Sequence, residues 1–67
     1  MQSEQWFIER KRCGKRVSSR SKEQCLRDFF MQWREQDGSI PWRVYCLPEG
    51  HVEPIECDPY NGGKIVA

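Results

Sequence analysis

The sequence has no apolar stretch long enough to span a bilayer, and its start, Met1-Gln2-Ser3-Glu4-Gln5-Trp6, has neither a basic nor an apolar leader region. These features predict a cytoplasmic protein with no membrane contact. Histidine occurs once, at His51, and cysteine four times, at 13, 25, 46 and 57, without any pair spaced as Cys-x2-Cys. No glycine-rich phosphate loop or dinucleotide fingerprint is present. Nucleotide-dependent catalysis and a closely spaced zinc site are therefore not expected, and neither is a bound cofactor or small-molecule substrate.

Sixty-seven residues allow one hydrophobic core, and a domain of this size buries only about 60% of its unfolded surface. Three Trp, three Phe and two Tyr compensate, because each buried aromatic removes roughly 150 to 250 Å² from water. A single domain over residues 1–67 follows, in which residues 58–67 form either a short edge strand or a flexible tail after the Asp58-Pro59-Tyr60-Asn61-Gly62-Gly63 turn.

Residues 5–20 read as two strands around Arg12-Cys13-Gly14-Lys15. A two-residue Cys13-Gly14 turn puts Trp6, Ile8, Val17 and Ser19 on one face, and Phe7, Glu9, Lys11, Arg16, Ser18 and Arg20 on the other. Ser21 and Gln24 form a capping-box pattern and Gly38 supplies a stop, predicting a helix from Ser21 to Asp37. At 100° per residue Cys25, Leu26, Phe29, Phe30 and Trp33 fall on one stripe roughly 140° wide, with Phe29 and Trp33 as core anchors. A second hairpin, residues 42–47 and 51–57, turns at Pro48-Glu49-Gly50-His51 with Leu47 opposite Val52. In that register Trp42, Val44, Cys46, Ile55 and Cys57 share a face whose one misfit is Glu53. The fold class is α+β: a small single-layer antiparallel sheet, ββαββ or βαββ, packed against one amphipathic helix.

Cys25, Cys46 and Cys57 read as buried thiols acting as small hydrophobes. In the expected register Cys46 and Cys57 lie roughly 13 Å apart along the strand, beyond the ~7 Å limit for a disulfide. Cys46, His51 and Cys57 with Cys13 or Cys25 are zinc-ligand types, but their irregular spacing argues against a site. His51 reads as an exposed turn residue with no nucleophile to serve, and alternation sends Glu53 and Glu56 to opposite faces. An enzyme is thus not expected. Cys13, at a turn among Arg12, Lys15 and Arg16, is the thiol expected to react most readily.

The net charge is only +1, yet residues 10–27 hold eight cations against Glu23 alone, a local excess of +7. Residues 35–67 are net acidic. A clustered basic face attracts polyanions whatever the total charge. In the expected register Lys11 faces Arg16 and Arg12 faces Lys15, two unfavourable like-charge pairs that bound phosphates would relieve. No aromatic is interleaved at the tip for base stacking. The leading expectation is a binding protein that engages nucleic acid or a nucleoprotein complex through Lys11, Arg12, Lys15, Arg16 and Arg20. The alternative, from size and compactness alone, is a phage or mobile-element inhibitor of the anti-CRISPR type, acting on a protein partner.

Overall fold

The computed structural model describes residues 4–66. Strands β1 (Gln5–Arg10) and β2 (Arg16–Ser19) form a hairpin, followed by helix α1 (Lys22–Phe30), β3 (Trp42–Leu47), β4 (Ile55–Asp58), a 3-10 turn over Pro59–Asn61, and β5 (Lys64–Ile65). The strands make one antiparallel sheet in the order β2-β1-β3-β4-β5. One helix lies across one face of this sheet, an α+β architecture with β2 and β5 as the edges. No helix among the described residues is long and apolar enough to cross a membrane.

Alternation sets the core. Trp6 and Ile8 of β1, Trp42, Val44 and Cys46 of β3, and Cys57 of β4 point towards α1, which contributes Cys25 and Phe29. Ile40, just before β3, completes this buried set, and Leu26 packs at its edge. Among the described residues no helix covers the sheet's other face. There Phe7 is nevertheless buried, stacked on Tyr45 at 5.5 Å and capped by the Arg16 guanidinium at 4.8 Å.

Both hairpins differ from the expected register by two residues. In the first, Glu9 stands opposite Arg16 and Ile8 opposite Val17, so residues 11–14 form a wider loop. Arg10 donates its amide to the Lys15 carbonyl at 2.8 Å, and Gly14, at φ 72°, donates to the Arg10 carbonyl at 2.8 Å. The pairs Lys11 with Arg16 and Arg12 with Lys15 do not form. A slip of two preserves which face each side chain occupies, and it replaces a like-charge pair by the Glu9–Arg16 ion pair at 2.9 Å. In the second hairpin Val44 pairs with Cys57 and Cys46 with Ile55. Residues 48–54 are loop, with Val52 and Glu53 exposed. Pro54 accounts for this, because a residue without an N–H cannot serve the interior of the strand expected there.

The helix is shorter than its sequence pattern. Ser21 caps it as expected, its hydroxyl accepting from the Gln24 amide at 3.1 Å. It ends at Met31, whose amide donates to Arg27, and Gln32 then bonds Phe29 in a tighter turn. Gly38 is a turn residue at φ 87°: its amide reaches Glu35, whose own amide reaches Ser39. Geometry supplies the reason. Nine helical residues span about 14 Å, after which residues 31–41 lead to the start of β3; continuing to Asp37 would add about 10 Å and overshoot a six-residue strand of about 20 Å. Trp33 therefore leaves the expected stripe and is 52% exposed, Phe30 at the helix end is also exposed, and Ile40 takes a place in the core at 3%.

This contrast predicts opposite outcomes for two aromatic truncations. Phe29→Ala should cost about 3 to 5 kcal/mol, and Trp33→Ala under about 1 kcal/mol. Urea denaturation measures both, and equal losses would contradict the helix end described above.

Candidate nucleic-acid interface

The five cations singled out by the sequence divide into three groups. Lys11, Arg12 and Lys15 sit together on the exposed loop between β1 and β2. The loop is anchored at its base, where the Lys11 amide donates to the Pro41 carbonyl at 3.1 Å. Arg16 is on the open sheet face, committed to Glu9 and to the Phe7 ring. Arg20 follows the far end of β2, about 13 Å of strand away from the loop. The geometry thus gathers three of the five and separates the other two.

Two further residues join the loop that the sequence did not identify. The Arg10 guanidinium lies 5.4 Å from the centre of the Trp33 ring. Arg10 is also backbone-bonded to Lys15, so Trp33 stands at the root of the basic loop. No local pattern connects residues 10 and 33; their meeting depends on the helix stopping early and the chain folding back beside β1.

The neighbouring Asp37 moderates the positive field. Hydrogen bonds from the Ser39 hydroxyl and amide, 2.6 and 2.9 Å long, hold its carboxyl below the usual range, with a smaller contribution from the Lys11 charge. The open sheet face is more evenly balanced. Glu9 lies between Arg16 and Arg43 in adjacent strands, and Asp58 opposes Lys64. Such alternation of sign satisfies the face internally and gives a polyanion little to gain there.

On the helix side, a cleft of about 280 Å³ opens between Phe29, Trp42, Val44 and Tyr60, with Lys11, Arg43, Glu56 and Asp58 around it. Beside it Phe30 and Tyr60 meet edge to face at 5.4 Å, both exposed, with Met31 next in the chain. The Trp42 Nε1 is buried and has no acceptor among the described residues.

All four thiols are free, with Cys13 exposed on the basic loop and the others buried. Burial pushes the Cys25 thiol up to about 11, partly opposed by a Ser19 hydrogen bond. Burial, reinforced by the Glu4 charge, pushes Cys46 up to about 11, and burial likewise raises Cys57. In the observed register Cys57 opposes Val44 and Cys46 opposes Ile55, so the two thiols are diagonal neighbours and closer than expected. Among the described residues no three His, Cys, Asp or Glu side chains are grouped as a metal site. His51 and Glu53 are both exposed in the 48–54 loop. No family model matches the chain, and no curated protein or solved structure is significantly similar to it.

Thiol chemistry gives a direct check on this arrangement. Cys13 should be labelled first by a thiol reagent under native conditions, with Cys25, Cys46 and Cys57 labelled only on unfolding. Raised folded values mean that the native state holds protons the unfolded chain releases. The stability this confers is present below the ordinary thiol value of 9.0 and declines as pH rises towards about 11. The urea midpoint should therefore fall over that range, and less steeply in Cys25→Ala/Cys46→Ala. A parent and variant of identical pH dependence would contradict the burial assigned to these thiols.

Proposed function

We propose that this protein is a non-enzymatic binding domain whose basic hairpin loop engages nucleic acid, alone or within a nucleoprotein complex. The observation that carries this reading is the grouping of Lys11, Arg12 and Lys15 on one exposed loop. The one ion pair among the described residues is Arg16–Glu9, elsewhere on the sheet. None of the three forms an ion pair among the described residues, so their charges stay available to phosphate, moderated at Lys11 by the nearby Asp37. Arg16, whose charge is offset by Glu9, and Arg20, beyond the far end of β2, flank the proposed interface without joining the loop contact.

A second reading has its own support. The exposed Phe30, Met31 and Tyr60 form an apolar shelf, of the residue types that anchor protein interfaces. On that reading the protein is an inhibitor of the phage or mobile-element kind, anti-CRISPR proteins included, and the basic loop steers it onto an acidic protein.

Salt dependence separates the two. If Lys11, Arg12 and Lys15 each meet a phosphate, the log-log slope of affinity against salt should be about −2.7 for duplex DNA and about −2.1 for a single strand. Replacing all three with Gln should flatten that slope and weaken every sequence alike, because phosphate contacts carry no base information. Anisotropy of a labelled oligonucleotide measures it. Absence of affinity for DNA and RNA even at low salt would move the protein-directed reading to first place.

A further inference from the structure

We infer that Trp33, held by Arg10 at the root of the basic loop, is a stacking platform for an unpaired base, and that the nucleic acid this protein takes is single-stranded. The inference rests on the nucleic-acid reading above and specifies its substrate.

Three cation-to-ring contacts occur among the described residues: Arg10 on Trp33 at 5.4 Å, Arg16 on Phe7 at 4.8 Å and Lys22 on Trp6 at 5.8 Å. In two of them the ring is sealed, Phe7 being 7% exposed and Trp6 5%. Those rings have no surface left for a ligand. Trp33 is 52% exposed in spite of its cation. The guanidinium fixes the indole, while much of the ring surface stays open to solvent.

Position strengthens the argument. Arg10 precedes Lys11 and Arg12 in the chain and is bonded through its backbone to Lys15, so the exposed ring and the three unpaired cations share one end of the β1–β2 hairpin. Single strands are held by this combination of backbone-tracking cations and an aromatic on which a base stacks, with no need for hydrogen bonds to particular bases. A duplex keeps its bases stacked on one another and offers the indole little. The Phe7–Tyr45 pair, which resembles a stacking surface by composition, lies among Glu9 and Glu56 and has Phe7 buried. Arg16 and Arg43 offset those carboxylates, so this face is balanced in charge and offers phosphate little net attraction.

The test compares oligothymidylate and oligouridylate with a DNA duplex of equal length, using the full chain and two variants. The single strands should bind more tightly than the duplex. Trp33→Ala should weaken single-strand binding about 5- to 150-fold, the range corresponding to one stacked base, with the salt slope unchanged. Trp33→Phe should recover most of that loss, because a phenyl ring keeps a stacking face. Trp6 and Trp42 are buried, so quenching of the exposed Trp33 emission should accompany binding in the parent and vanish in Trp33→Phe. Salt-dependent binding that is equal for strand and duplex and indifferent to Trp33→Ala would overturn this inference and leave the basic-loop reading intact. No binding to any of the three at low salt would overturn both.

Discussion

The pairing of β1 with β3 is the constraint from which the rest of the structure follows. Ile8 and Val44 oppose each other at the centre of the sheet, both fully buried, and each strand has a further neighbour on its outer side. For β3 to lie beside β1 instead of β2, the chain must leave the β2 edge, cross the sheet and re-enter at the opposite end. The helix makes that crossing, so its length is set by the sheet beneath it and not by its own propensity. The loop from Met31 to Pro41 then folds beside the hairpin, which is how Trp33 reaches Arg10 and how Pro41 reaches Lys11.

This dependence explains which features were legible in the sequence. Face assignments survived because they rest on parity: Trp6, Ile8, Trp42, Val44, Cys46 and Cys57 are inside in either register. Registers were less legible because a slip of two residues leaves every face unchanged. What discriminates between such registers is cross-strand charge in the first hairpin and proline in the second. Both signals are present, in Glu9 opposite Arg16 and in Pro54, but the turn residues Cys13-Gly14 and Pro48-Glu49-Gly50-His51 suggest tighter connections.

The helix end was the least legible element. Met31, Gln32, Arg34, Glu35 and Gln36 are good helix formers, and Gly38 resembles a C-terminal stop. Nothing within that window says that the chain must turn at residue 31, because the reason lies in the distance to β3. The same early helix end conceals the candidate site from the sequence. With Trp33 assigned to the core, the basic tip lacked an aromatic; with the helix ended at Phe30, it acquires one.

A single nine-residue helix also leaves much of a five-stranded sheet uncovered, and the molecule treats its surfaces differently. The open face closes on itself through alternating charges and the Phe7–Tyr45 stack, so little there calls for a partner. The loop side remains unbalanced in two ways: cations at Lys11, Arg12 and Lys15 that form no ion pair among the described residues, and aromatics in solvent at Phe30, Trp33 and Tyr60. Three phosphate contacts alone give a weak, strongly salt-dependent attachment. On the proposed reading, a stacked base adds an attraction that salt screens poorly, and the Phe30–Tyr60 shelf offers apolar area to a protein already holding the strand. A nucleoprotein complex would engage both kinds of surface at once, and linking two weak contacts in this way raises affinity well beyond either alone.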